Sequence, residues 1–354
     1  MEVAPREITF AEAMREGLSV AMALDPSVIC YGLGVDDPKG TFGTTLGLQD
    51  RFGRQRVFDM PTSENAMTGI GIGAALNGIR PVMTHLRLDF FLVAMEQLVN
   101  NAAKWRYMFG GQGSVPVTIR LIMGRGWGQG PTHAQNLQAW FAHIPGLKVV
   151  MPTTPADAKG LLLSSIFDPD PVVFLEQRWL HNLHGEVPEG DVRVPIGQSH
   201  RVREGRDVTI VSHSYMTIEA LHALKALEQH GVTCDLIDLR TVRPLDWAAI
   251  YASVEKTGRL LVVDTANPVC SIASEVVAGV ARERFSSLRC PPRQLTPPDT
   301  PSPTSPALAR HYYPNADDII REVGVLVERE LIADTTARRT HAHDVPGDWF
   351  TGPF

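Results

Sequence analysis

Little in this chain points away from an ordinary soluble globular protein. It has only 4 cysteines in 354 residues. Cys30, Cys234, Cys270 and Cys290 nowhere reach CxxC spacing. That argues against a metal site or a disulfide framework and reads as reduced, mostly core thiols in a cytoplasmic protein. The formal charge is −6 and no Lys/Arg cluster stands out, so there is no basic footprint for nucleic acid. No apolar run nears the roughly 20 residues that span a bilayer. The opening MEVAPREITFAEAMREGL is acidic and amphipathic, without the apolar core of a signal peptide. Short repeats and low-complexity tracts are missing too, apart from a proline-rich segment over 291–306.

The composition that remains, 44% hydrophobic and 20% charged, is that of a globular chain. Its length allows two α/β domains of about 150 residues each. Helical periodicity over 9–23 (Phe10, Ala13, Met14, Leu18, Ala21, Met22) precedes a buried strand at 28–33. Strands follow at 57–58, 81–85, 115–123, 147–151 and 172–175, with helices at 46–52, 89–105 and 155–167. The continuous apolar run VPVTIRLIM has the pattern of a parallel strand covered on both faces. A second, shorter alternation begins at 208, with strands at 208–213, 233–238 and 260–263. Its helices fall at 217–230, 247–254 and 271–284. The pattern predicts parallel sheets with right-handed crossovers. The expected division is a domain over 1–185, a linker over 186–206, a domain over 207–328 and a polar tail over 329–354. That tail carries His341 and His343 and is expected to be mobile or partner-bound.

The organising stretch is RVFDMPTSENAMTGIGIGAALNG, residues 56–78. A short apolar run breaks at Pro61, and Thr62 or Ser63 offers a helix N-cap. Glu64 then falls in the first turn, where a carboxylate suits the positive end of the helix dipole. Ala66, Gly69, Ile70, Gly73 and Ala74 follow at helical spacing, a face nearly bare of side chains. Each glycine costs about 1 kcal/mol relative to alanine, so something is expected to approach this backbone closely. Glu64 reads either as a first-turn acid that only suits the dipole or as a functional carboxylate beside an apolar surface. In the second case desolvation would raise its pKa and let it share a proton with a ligand. Gly69, Gly71 and Ala74 also fit a loose G-x-G-x-x-A, but past the N-cap rather than in the strand-to-helix turn.

The glycine-dense loop GRGWGQGPTHAQN, 124–136, is long enough to be functional, and Trp127 with the apolar residues after it argues for order. The segments TSENAMTGIGIGAALNG, AMEQLVNNAAKWRY, THAQNLQAWFAHIPGLKVVMPTTPADAKGLL, and IDLRTVRPLD followed by KTGRLLVVD, resemble the beta subunit of 2-oxo-acid dehydrogenases. These are the thiamine-diphosphate-dependent decarboxylating components of the pyruvate, branched-chain and acetoin dehydrogenase complexes. The similarity runs in order from about residue 9 to 327.

The resemblance implies a pyrimidine-binding transketolase-like domain followed by a smaller transketolase C-terminal-type α/β domain. It gives Glu64 the carboxyl that hydrogen-bonds the aminopyrimidine ring, so that the ring's exocyclic nitrogen can take the proton from the thiazolium carbon. The thiazolium ring then accepts the electrons released by decarboxylation. Phe90 falls where the family places an aromatic against the pyrimidine, and equally reads as a core residue of an amphipathic helix. His133 falls on the family's active-site histidine, as an acid/base or a charge stabiliser during acyl transfer. His143, Arg240 and Arg243 read as structural. The family's diphosphate is held through Mg²⁺ by a Gly-Asp-Gly followed by Asn, and no GDG occurs here: Gly190-Asp191 lacks the next glycine. The implied assembly is therefore α2β2, with Mg²⁺ on an alpha subunit, no metal ligands in this chain, and a lipoyl acyltransferase as a further partner.

Two departures bear on substrate. Arg87 stands on the substrate side of Phe90 where relatives usually have an aromatic or apolar residue, and Asn267-Pro268-Val269-Cys270 replaces a segment that usually contains glycine. An added cation suits an anionic or hydroxylated substrate, or a reaction other than lipoyl transfer. The leading expectation is a subunit that decarboxylates a 2-oxo acid and passes the acyl group to a lipoyl acceptor. The alternatives are a transketolase-like or acyloin-forming carboligase, a non-catalytic assembly subunit and, most distantly, a nicotinamide dehydrogenase.

Overall fold

A computed structural model describes residues 6–332 and 345. Most of the expected tail, His341 and His343 included, lies outside the described residues. The chain forms two compact α/β units. One ends at Gly124 and resumes over Trp140–Ile196; the other comprises Arg125–Ala139 and the chain from Gly197 onward.

In the first unit the helix Phe10–Leu24 starts where local chemistry dictates. The Thr9 hydroxyl accepts from the Glu12 amide, and the Glu12 carboxylate accepts from the Thr9 amide at 2.8 Å. This reciprocal box satisfies two otherwise orphaned donors. The helix buries Phe10, Ala13, Met14, Leu18, Ala21 and Met22, each large side chain contributing about 1.5–3 kcal/mol. It lies against Pro155–Phe167, and Gly17 permits the approach: a Cβ there would stand 3.3 Å from the Leu162 side chain.

Behind these helices runs a parallel sheet in the order Lys148–Val150, Val172–Gln177, Thr118–Met123, Arg80–His85, Val28–Gly32, Val57–Phe58. Every residue of Thr118–Met123 and Val172–Gln177 is buried, as expected of central strands covered on both faces. Loops at the carboxyl ends of such strands are the usual place for ligands in α/β folds, and here those ends lead to Glu64, Arg87 and Arg178.

The helix expected over 89–105 is instead broken into Leu88–Phe91, a 3₁₀ turn Leu92–Ala94, a π segment Gln97–Ala102 and Ala103–Met108. The buried positions explain the break. Leu88, Phe91 and Ala94 recur every third residue and call for the tighter turn, whereas Ala94, Leu98 and Ala102 recur every fourth. The core reading of Phe90 therefore fails: Phe91 is in the core, and Phe90 and Val93 face outward.

His85, at the end of Arg80–His85, is buried edge-on against Phe91 at 4.9 Å. Among the described residues its Nε2 finds no partner. Burial pushes its pKa down to about 3, so the folded protein keeps this ring neutral. An unfolded histidine titrates near 6.5, so as pH falls below that value the unfolded state takes up a proton the folded state refuses. The stability this group contributes is present above about 6.5 and is lost toward about 3. His85→Phe should spare about 2 kcal/mol of the loss between pH 6.5 and pH 5, read from urea midpoints at both values. Parallel pH slopes for the two proteins would refute this.

The second unit has the strand order Arg293–Leu295, Leu260–Val263, Val208–Ser212, Cys234–Asp238, His200–Arg203. All pairings are parallel except the last. Tyr215–Gln229 and Ala316–Leu326 pack together on this sheet through Met216, Leu224, Ile319, Ile320 and Val323. Two strands fall within or beside the stretch expected as a linker. His184–Glu186 pairs with Glu7–Thr9, and His200–Arg203 pairs antiparallel with Cys234–Asp238.

Candidate active site

Glu64 is the first residue of the helix Glu64–Leu76, and Ser63 precedes it without a side-chain cap. The approach is held by Asp59, whose carboxylate accepts from the amides of Gly34 at 3.0 Å and Met60 at 2.9 Å. The Glu64 side chain is half-buried, and no described residue donates a hydrogen bond to its carboxylate. The glycines beyond it stand in two different surroundings, Gly71 on the buried side and Gly73 on the bare face. A Cβ on Gly71 would lie 2.2 Å from the Tyr31 hydroxyl, which donates to the Met67 carbonyl at 3.0 Å. Gly73, by contrast, has nothing within 4 Å of that position, and neighbouring Ile70 is 61% exposed. Gly69, Gly71 and Ala74 all lie inside the helix, so they make no strand-to-helix phosphate turn and the dinucleotide fingerprint fails.

The helix Glu64–Leu76 packs against Leu88–Phe91. Phe90, 38% exposed, turns outward from the latter. Phe91 fills the core position, against His85 and, at 6.2 Å, Phe141.

Arg87 is not an open surface cation. It is 4% exposed, with its guanidinium 5.6 Å from the centre of the Phe42 ring. Arg178 stands 4.7 Å from the same ring. Burial depresses the pKa of Arg87, the Asp89 charge opposing. Burial first and the Arg87 charge second bring Arg178 down to about 10. Two arginines thus stand at the carboxyl ends of parallel strands of the first unit, with the Asp89 carboxylate near Arg87.

Beneath them lies a buried network that the sequence reading missed. Arg120 donates from Nη2 to Glu176 at 2.8 Å and to the Thr44 hydroxyl at 3.0 Å, both charged side chains being fully buried. His181 Nε2 approaches Glu176 at 3.4 Å while its ring stacks on Phe10. Burial alone would raise the Glu176 pKa; the Arg120 charge and the His181 contact outweigh it and hold the carboxyl below its ordinary range. A signal was present: one arginine in VTIRLIM and one glutamate in VVFLEQ are the charges of two otherwise apolar central strands. The register sets Glu176 opposite Ile122, two residues beyond Arg120 on the same face.

His133 belongs to the second unit. It is half-buried, and its Nδ1 is 3.0 Å from the Thr132 hydroxyl. Its loop is seated by Arg125, whose guanidinium lies 4.8 Å from the ring centres of both Tyr215 and Tyr313. The Gly126 amide donates to the Tyr313 hydroxyl at 3.0 Å. Gly130 has φ +69, and a Cβ there would stand 2.6 Å from the Thr304 hydroxyl. The glycines in this loop therefore serve close packing as well as turning. His143 and Arg243 are exposed, and Arg240 has a left-handed φ of 56.

Residues 6–182 match the family model of the transketolase pyrimidine-binding domain, and residues 197–319 that of the transketolase C-terminal domain. Over 324 residues the chain is 44% identical to the beta subunit of acetoin:2,6-dichlorophenolindophenol oxidoreductase from Cupriavidus necator, covering 89% of this chain and 96% of the relative. The chain belongs to the beta-subunit family of thiamine-diphosphate-dependent 2-oxo-acid dehydrogenases. Within that family the pyruvate dehydrogenase E1 component subunit beta-2, mitochondrial, of Oryza sativa is 41% identical over 322 residues, covering 90% of this chain and 86% of the relative. The pyruvate dehydrogenase E1 component subunit beta of Bacillus subtilis is 40% identical over 323 residues, at 91% and 99% coverage. Among solved structures, a split-gene transketolase described as an inactive beta4 tetramer superposes with TM-score 0.75 at 21% identity, covering 91% of this chain and 98% of that one. That likeness speaks to the fold. Among the described residues of this beta-family chain, no helix is long and apolar enough to cross a membrane.

Proposed function

We propose that this chain is the catalytic beta subunit of a heteromeric thiamine-diphosphate enzyme that decarboxylates a 2-oxo acid and passes the acyl group to a lipoyl acceptor. The observation that carries the reading is the Glu64 carboxyl, without a hydrogen-bond donor among the described residues, on a helix packed against the one that turns Phe90 outward. These residues fit the cofactor's pyrimidine half, which needs one carboxyl for a ring nitrogen and one aromatic face. When bound, thiamine diphosphate supplies an acidic ring carbon and the electron sink for decarboxylation.

The chain's own part is positioning and proton handling. Glu64 would hold the pyrimidine half through its carboxyl and keep the proton at that oxygen, and Phe90 would offer its ring as a platform. The Thr132 hydroxyl at His133 Nδ1 orients that imidazole, whose ring gives or takes a proton during acyl transfer. Arg87, braced on Phe42 beside Arg178, biases the site toward an anionic substrate. Diphosphate and Mg²⁺ fall to an alpha subunit in an α2β2 assembly, in keeping with the absence of GDG from this sequence. A reducing, cytoplasmic setting suits four free thiols.

A second reading keeps the cofactor and changes the bond that is cleaved or made, to that of an acyloin. Two relatives, 44% and 41% identical, carry acetoin in their names, and this favours it. Product analysis separates the two: carbon dioxide with an acylated lipoyl group for the first, an aldehyde on cleavage or an acyloin on synthesis for the second.

Native mass spectrometry of the complex captured from its own cells tests the assembly. The expected result is a heterotetramer whose partner contains GDG and whose mass includes thiamine diphosphate and Mg²⁺. A homodimer that binds the cofactor unaided would overturn the divided site.

A further inference from the structure

The loop that carries His133 has a second anchor, at its far end. Gln138 is fully buried, and its Nε2 donates to the Asp264 carboxylate at 2.7 Å and to the Thr265 hydroxyl at 3.0 Å. Its Oε1, equally buried, has no partner among the described residues. Turning the amide over would aim that oxygen at a carboxylate, so the donor end is fixed where it stands. A buried amide that uses only its donors is stabilised chiefly by the bond to Asp264, because its orphaned acceptor is a cost.

Asp264 is built to receive that bond. It follows the strand Leu260–Val263 and is fully buried. Its Oδ1 also accepts from the Ala266 amide at 3.0 Å and lies 3.1 Å from His213 Nε2. Its Oδ2 accepts from the Ala273 amide at 3.1 Å, in the first turn of Ile272–Glu283. One carboxylate therefore joins the end of one central strand, the residue after its neighbour Val208–Ser212, a helix start and the base of the loop. Charge-assisted bonds of this kind are short and specific, and helix dipole and charge act in the same sense.

We propose that Asp264, acting through Gln138, is the positioning residue that sets the placement of His133. This rests on reading His133 as the group that handles a proton during acyl transfer. The pair touches no substrate; its effect is on where the imidazole stands, and a displacement of about 1 Å at a reacting group can cost about 100-fold in rate.

The test uses the full chain in its native assembly, with Gln138→Met, which keeps length and apolar bulk but removes both donors, and with Asp264→Asn as a second variant. Hydrogen–deuterium exchange over 125–139 should accelerate about ten- to a hundred-fold in Gln138→Met, while the strand Thr118–Met123 stays protected. In the same variant kcat should fall by at least about ten-fold with KM unchanged. Adding Gln138→Met to His133→Ala should cost nothing further, because both act on one group. Unchanged loop exchange, or a rise in KM at constant kcat, overturns the proposal. If His133→Ala alone turns over at the wild-type rate, the role given to His133 is wrong, and the exchange result still decides whether Gln138 holds the loop.

Discussion

Glu64→Gln should lower kcat by about 1,000-fold while the protein still folds and assembles. Glutamine matches glutamate in size and hydrogen-bonds a ring nitrogen, but it has no acidic proton to share, so the chemical step loses its proton path. Folding should be little affected. The side chain is half-buried at a helix start with no donor among the described residues, and the lost dipole interaction is worth about 0.3–1 kcal/mol. Single-turnover release of carbon dioxide, with melting temperature and native mass as controls, measures both halves of the expectation. Wild-type turnover in this variant would remove Glu64 from the chemistry. With it would go the reading of this chain as catalytic rather than as an assembly subunit.

The largest effect on stability is expected at Arg120. Its guanidinium is fully buried and joined to Glu176 through both Nε at 3.0 Å and Nη2 at 2.8 Å. Arg120→Met leaves Glu176 as a buried carboxylate without its cation, and breaking such a pair costs about 3–5 kcal/mol. For a unit of this size that corresponds to a fall of about 10 °C in melting temperature. The double variant Arg120→Met with Glu176→Leu should recover much of the loss, because no buried charge is then left unpaired. Thermal melts of the two single variants and the double make the comparison. A double variant no more stable than Arg120→Met alone would mean that packing, and not charge pairing, is what the arginine provides.

The two residues also show where reading the sequence stops. Helix Phe10–Leu24 could be read from its own residues, because its apolar spacing and its Thr9–Glu12 box lie within a few positions of one another. The central strands could be read too, since a strand buried on both faces is mostly apolar. The same holds for Glu64 as the first residue of its helix, where proline, cap candidate and acid follow in order. Short edge strands such as Glu7–Thr9 and His200–Arg203 carry no such pattern; they exist because a partner strand offers a ladder.

The phase of the helix after Arg87 could not be read either. Phe90 and Phe91 are both apolar neighbours, and which one enters the core depends on a change from 3₁₀ to π winding set by the packing beneath. The candidate site divides in the same way. Glu64, Phe90 and His133 were nominated from motifs in the sequence, but the buried pairs around the candidate site join residues remote in sequence. Arg120 meets Glu176 across 56 positions, and Gln138 meets Asp264 across 126. By itself the sequence determined the α/β alternation, because that follows from short-range period, and it nominated Glu64, Phe90 and His133 through motifs shared with a family. Which buried charges are neutralised, and what holds the His133 loop, was decided only by tertiary structure, because a buried charge or donor is stabilised by whatever group the fold brings within about 3 Å of it.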